Sequence, residues 1–163
     1  MKKIVYCGQF MDFSGYGIAA RKYLEILDMV AENNNIDLKI YTALSPFAPP
    51  NLESFSEKEQ KLINKYSFAD DANLKSFIDN NDYECIWHMP TPMALFADDR
   101  FKTPSNILEP ALLKIIKASR RNHHLVVWET TDISTEWKEC IEWFKPHSII
   151  TACEMNVKMY SNR

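Results

Sequence analysis

Glycine is scarce in this chain, at three among 163 residues. All three, Gly8, Gly15 and Gly17, fall within ten consecutive positions. A protein this poor in glycine has few places where its backbone can take positive φ or admit a close neighbour, and it has put its whole supply in one. The four cysteines, Cys7, Cys85, Cys140 and Cys153, are far apart and form no C-x-x-C pair. That excludes a disulfide scaffold or zinc ribbon, and the thiols read as reduced and buried in a cytoplasmic protein. No apolar run approaches the roughly 18 residues of a membrane span. The N-terminus runs straight into a strand pattern, so no signal peptide is expected. Excess positive charge is also missing: 19 Lys and Arg face 22 Asp and Glu, for a net charge of -3. A general nucleic-acid or anionic-membrane binder needs a basic face, so neither partner is expected. G-x-S-x-G, H-E-x-x-H and Walker A patterns do not occur.

What is present is an ordinary globular composition, 46% hydrophobic and 25% charged, in a chain long enough for one domain with a real core. The β-rich run at residues 4–7 is followed by the glycine loop. Then Ala19, Ala20, Tyr23, Leu24, Leu27 and Val30 recur at helical spacing. Strand, glycine loop and helix direct free backbone N–H groups and the positive helix end at one spot, where an anion such as a phosphate can be held. Equally, such a loop can be no more than a tight turn.

Four more strand signals follow, at residues 38–42, 84–88, 124–128 and 147–152. Helical patterns alternate with them. Ser56 to Glu59 forms a capping box ahead of Leu62, Ile63 and Tyr66. Asp71 caps a helix carrying Leu74, Phe77 and Ile78. Pro110 suits a first helical turn before Leu112, Ile115 and Ile116. Ile133, Trp137, Ile141 and Phe144 form another stripe, which Pro146 ends, and residues 154–160 read as a last short helix. The pattern predicts an α/β fold: a doubly wound, mainly parallel Rossmann-like sheet in a single domain over residues 1–163. The predicted strand order is 3-2-1-4-5. Ligands of such sheets bind beyond the C-terminal strand ends where the order reverses, here between strands one and four.

That crevice gathers the candidate residues. Ser14, Gly15, Tyr16 and Gly17 come from the first loop, with Arg21 one helical turn on, either near a bound anion or as a solvated helix arginine. Glu129 can accept hydrogen bonds from substrate hydroxyls or act as a base, or else serve as an N-cap or salt-bridge partner. Thr130, Thr131 and Asp132 read first as local caps. His88 either faces the cleft or bonds backbone at a strand end, the commoner arrangement. His123 and His124 are adjacent and point to opposite faces, a poor metal pair, so no metal is expected. A nicotinamide dehydrogenase fits badly, because the glycines run G-x6-G-x-G and strand two ends in Tyr41-Thr42 with no acid for a ribose.

Residues 8–21, above all Ser-Gly-Tyr-Gly-Ile-Ala-Ala-Arg, resemble the first loop and helix of GT-B glycosyltransferases of glycosyltransferase family 4. Val127-Trp-Glu-Thr-Thr131 followed by Trp137 is similar to a Trp-Glu-Thr-Thr…Trp segment of that family. Thr151-Ala-Cys-Glu-Met-Asn156 is similar to its step into the next helix, with Ala152-Cys153 in place of Pro-Ser. The resemblance covers the chain as the N-terminal, acceptor-side half of such an enzyme. It implies a nucleotide-sugar donor as substrate, no cofactor, a hydroxyl acceptor, and Gly15, Gly17, Glu129 and Thr130 in the cleft. It also implies that the C-terminal donor-binding domain is absent, since 163 residues leave no room for its Arg/Lys pair and E-x7-E element. The chain alone is then expected to be inactive, and to meet a second chain or a second copy through the strand C-terminal face. The apolar residues Pro90, Pro92, Met93, Leu95 and Phe96 would lie there. The alternative is a non-catalytic carbohydrate-binding or protein-interaction module.

Overall fold

The computed structural model describes residues 1–43, 51–88, 110–126, 135–151 and 154–161. In chain order the elements are β1 (Lys2–Gly8), α1 (Gly15–Asn34), β2 (Ile36–Thr42), a 3-10 turn (Leu52–Ser54), α2 (Glu57–Tyr66), α3 (Asp71–Asp79) and β3 (Glu84–His88). There follow α4 (Pro110–Ala118), β4 (Arg121–Val126), α5 (Thr135–Phe144), β5 (Ser148–Thr151) and α6 (Glu154–Ser161). The five strands form one all-parallel sheet with helices on both faces, as the alternating pattern predicts.

The strand order is β2-β1-β3-β4-β5, not 3-2-1-4-5. β1 lies between β2 and β3 and does not pair with β4. Burial explains the difference. Every side chain of β3 is buried or partly so, which suits a strand covered on both faces. β2, mostly intermediate with Leu38 and Ile40 buried, and β5, alternating exposed and intermediate, take the edges. A strand as apolar on both sides as Glu84-Cys-Ile-Trp-His88 belongs inside the sheet, beside β1.

The pleat sorts the core into two layers. Ile4 and Tyr6 face α1 and α2, packing with Phe10, Ala20, Leu24, Leu62, Ile63 and Tyr66. Val5, Cys7, Cys85 and Trp87 face the other way, onto Tyr83, Leu112, Ile115 and Ile116. Cys7 and Cys85 are buried, with their sulfurs 3.8 Å apart. β4 begins three residues before its expected start, because the polar Arg121-Asn122-His123 pairs with the first residues of β3.

Local signals set the helix ends. Ser14 caps α1 and Asn35 closes it in the left-handed region at φ 51°, as an Asn turn allows. Ser56 and Glu59 form the expected capping box on α2. The cap of α3 is Asp70, one residue ahead of Asp71. Along the α1–α2 seam Lys58 pairs with Glu25, and Lys65 with Asp28 and Glu32. Such exposed pairs each contribute about 0.2–1 kcal/mol.

Candidate functional site

With this order, the strand connections change direction across the sheet between β1 and β3, so the crevice expected of a doubly wound fold lies there rather than between strands one and four. β1 brings Gly8 and the loop into α1, and β3 brings His88. A Cβ on Gly8 would stand 3.4 Å from the Ala20 Cβ and 3.5 Å from the His88 Cβ, an ordinary contact, so α1 and β3 lie close around the end of β1 without the packing demanding glycine there.

The loop is held from inside. Asp12 turns its carboxylate back to accept from the Ser14 N–H at 2.6 Å. Ser14 Oγ accepts from the Gly17 N–H at 3.4 Å. By the count of orphan donors at a helix start, that leaves the Gly15 and Tyr16 N–H groups facing outward. Space around Gly15 is open, with nothing within 4 Å of a would-be Cβ. Gly17 is the opposite case. Its Cβ would fall 2.0 Å from the Asp12 carbonyl oxygen. The close approach that demands glycine at 17 is therefore made by the chain's own backbone, and the room for a ligand is at Gly15.

Arg21 is neither a solvated helix arginine nor directed outward. It is 4% exposed. Its Nη1 donates to the Phe10 and Asp12 carbonyls at 2.8 and 2.7 Å, and its Nε donates to Glu59 at 2.8 Å. The guanidinium also lies 4.4 Å over the Phe55 ring. Hydrogen bonds from Ser56 hold the Glu59 carboxyl below its ordinary range against the cost of burial, and Arg21 adds to that. Arg21 thus ties the loop to the start of α2.

On the neighbouring strand His88 is 3% exposed. Its ring stands edge-on to Tyr6 and Tyr23, with centroids 6.0 and 5.7 Å away. Tyr6 also meets Phe10 edge-on at 5.1 Å. Both His88 Nε2 and Tyr6 Oη are buried without a hydrogen-bond partner among the described residues. Each unmet group costs about 1–3 kcal/mol, and in a native protein such a group calls for a ligand, a water or a catalytic role. Burial pushes the His88 imidazole down to about 4, and pushes the Tyr6 phenol up.

A pH dependence follows. An unfolded histidine titrates near 6.5, above the folded value of about 4. The unfolded state therefore binds the proton first, and stability falls as pH drops from about 6.5 toward 4, by up to about 3 kcal/mol from this group. His88→Phe is expected to flatten that slope relative to the parent in urea titrations at pH 7, 6 and 5. Parallel slopes would show that His88 is solvated.

Ser14, Gly15 and Tyr16 thus start α1 at this end of the sheet, and His88 lies in the core at the end of β3, against Tyr6 and Tyr23. Gly17 and Arg21 support the loop from behind. Glu129 and Thr130 lie outside the described residues, as does the apolar loop at residues 89–96. Sequence reasoning missed Asp12, Tyr6 and Tyr23. The Asp12-Phe13-Ser14 spacing is a readable Asx-type turn signal ahead of a cap. Tyr6 alternates inward in β1 like any core residue, and nothing in its neighbours marks its hydroxyl as unmet.

The fold is that of a doubly wound, parallel α/β protein, with the glycine loop of β1 and the end of β3 at its switch point. No family model, curated protein or solved structure matches this chain. Among the described residues, no helix is long and apolar enough to cross a membrane, and no three His, Cys, Asp or Glu side chains converge to hold a metal.

Proposed function

We propose that this chain is the N-terminal, acceptor-side half of a nucleotide-sugar-dependent glycosyltransferase, transferring a sugar to a hydroxyl acceptor with retention once a donor-binding domain or second chain completes the cleft. One observation carries the reading. At the switch point, α1 starts with the Gly15 and Tyr16 N–H groups lacking intrahelical partners, and the strands below carry two buried polar atoms with no partner among the described residues, His88 Nε2 and Tyr6 Oη. The first pair suits the oxygens of a diphosphate at a helix start. The second suits a neutral hydroxyl, since a neutral imidazole both donates and accepts. Catalysis of transfer needs both walls of a cleft preorganised, so this half alone binds without turning over. Glu129 is assigned as the acceptor-side carboxylate and Thr130 as a substrate contact, on the resemblance of their segment alone. The completing partner would meet the chain across the strand C-terminal face.

The test is titration with uridine, adenosine and guanosine diphosphates, followed by amide and imidazole NMR. The expected result is weak binding, Kd on the order of 1 mM, with shifts at the Gly15 and Tyr16 amides. Hydroxyl acceptors should move the His88 ring resonances instead. Shifts confined to other surfaces would remove the site. Sustained transfer by this chain alone, at about 1–10 per second, would remove the half-enzyme assignment. Binding of sugars without any nucleoside diphosphate would favour the alternative, a non-catalytic carbohydrate-binding module.

A further inference from the structure

At the other end of the sheet, the first residues of β3, β4 and β5 set a carboxylate, an imidazole and a hydroxyl in a row. In register, Glu84 lies beside Arg121, Ile86 beside His123, and His123 beside Ser148. The alternation of side chains puts Glu84, His123 and Ser148 on one face. Ser148 Oγ is 2.7 Å from His123 Nδ1. His123 Nε2 is 3.6 Å from Glu84 Oε2. Glu84 is buried, while Ser148 is exposed on the edge strand.

The neighbours fix the proton positions. Lys2 Nζ stands 2.9 Å from Glu84 Oε2, and Arg120 Nη2 3.5 Å from Oε1. Burial pushes the Glu84 carboxyl up, but these cations outweigh it and hold it below its ordinary value. An ionised carboxylate only accepts, so the imidazole proton belongs on Nε2, facing Glu84. Nδ1 is then the acceptor for the Ser148 hydroxyl. The groups facing His123 are Glu84 from β3, Lys2 from β1, Ser148 from β5, and His147, whose ring centroid is 6.3 Å away. Burial, with His147 and Lys2, pushes the imidazole down against the pull of Glu84 and keeps it neutral.

We propose that Ser148, His123 and Glu84 form a second site, a nucleophile, its base and the carboxylate that orients the base, which takes small activated acyl esters at the exposed edge of the sheet. The order of roles is that of nucleophilic catalysis in general. Ser148 Oγ attacks the carbonyl carbon while its proton moves to His123 Nδ1. The bond to the leaving oxygen breaks, and His123 returns the proton to it, giving an alcohol or phenol and an acyl-Ser148 ester. Water then attacks the same carbonyl carbon and gives a proton to His123. That proton passes to the Ser148 oxygen as the acyl–oxygen bond breaks, and a carboxylic acid departs.

The experiment treats the full chain with p-nitrophenyl acetate, following p-nitrophenol release and locating acetyl groups by peptide mass spectrometry. Acetylation is expected at Ser148 ahead of the lysines. Ser148→Ala should remove that label, and His123→Gln should slow it about 100-fold, both with unchanged circular dichroism. The parent protein supplies a further reading that needs no substitution. The Ser148 rate should rise with pH through the acid range as His123, which burial makes release its proton more readily than an ordinary histidine, loses that proton, then level off. Acetyl groups found only on lysines, a His123→Gln rate equal to the parent's, or a Ser148 rate flat across that pH range would each overturn the proposal.

Discussion

Arg21→Ala is expected to destabilise the protein by about 3–5 kcal/mol, the cost of removing one partner from a buried charge network. The guanidinium is 4% exposed and makes three short hydrogen bonds, to two loop carbonyls and to Glu59. Alanine leaves the Phe10 and Asp12 carbonyls without their donor and Glu59 without its cation, and it removes the contact over Phe55. Arg21→Lys should recover only part of the loss, because one ammonium cannot span two carbonyls and a carboxylate in the planar fork that Arg presents. Urea unfolding measures the change. Amide exchange should show residues 10–17 opening first, since they lose their tie to α2. If Arg21 instead served an anion in the crevice, the substitution would weaken diphosphate binding and leave the unfolding midpoint in place.

Arg21 also shows where the sequence stops being readable. Its position one turn beyond Gly17 offers two outward roles, toward an anion or toward solvent. The inward role depends on Glu59, 38 residues away, and on a loop that curls two carbonyls toward the helix. Neither is visible in local spacing. The strand spans fare better because they rest on alternation and apolar runs: β3 occupies the expected residues 84–88. Strand order fails because it depends on which strands are buried on both faces, a property of the whole assembly. His88 is legible as a strand-end histidine, but its unmet Nε2 is a consequence of packing against Tyr6 and Tyr23. The glycine loop is legible as a special place, and what makes it special divides between its glycines.

That division gives the last expected result. Gly17→Ala should destabilise by about 3 kcal/mol or more, and Gly17→Val further, because a Cβ there falls 2.0 Å from the Asp12 carbonyl oxygen. Overpacking of this kind forces the backbone to move. The Asp12 carbonyl cannot retreat freely, since Arg21 holds it at 2.7 Å. Gly15→Ala meets no atom within 4 Å, and no positive φ protects that position. It should leave stability unchanged or raise it by about 0.4–1 kcal/mol, through the lower entropy of the unfolded chain. Bulk at 15 nevertheless stands beside the outward N–H groups. Gly15→Val is therefore the variant that should weaken diphosphate binding, while its thermal midpoint stays near the parent's. The two glycines then separate by measurement, position 17 in calorimetric unfolding and position 15 in the diphosphate titration. A Gly17→Ala protein that melts with the parent would contradict the loop geometry. A Gly15→Val protein that binds diphosphate as the parent does would take the anion away from the start of α1.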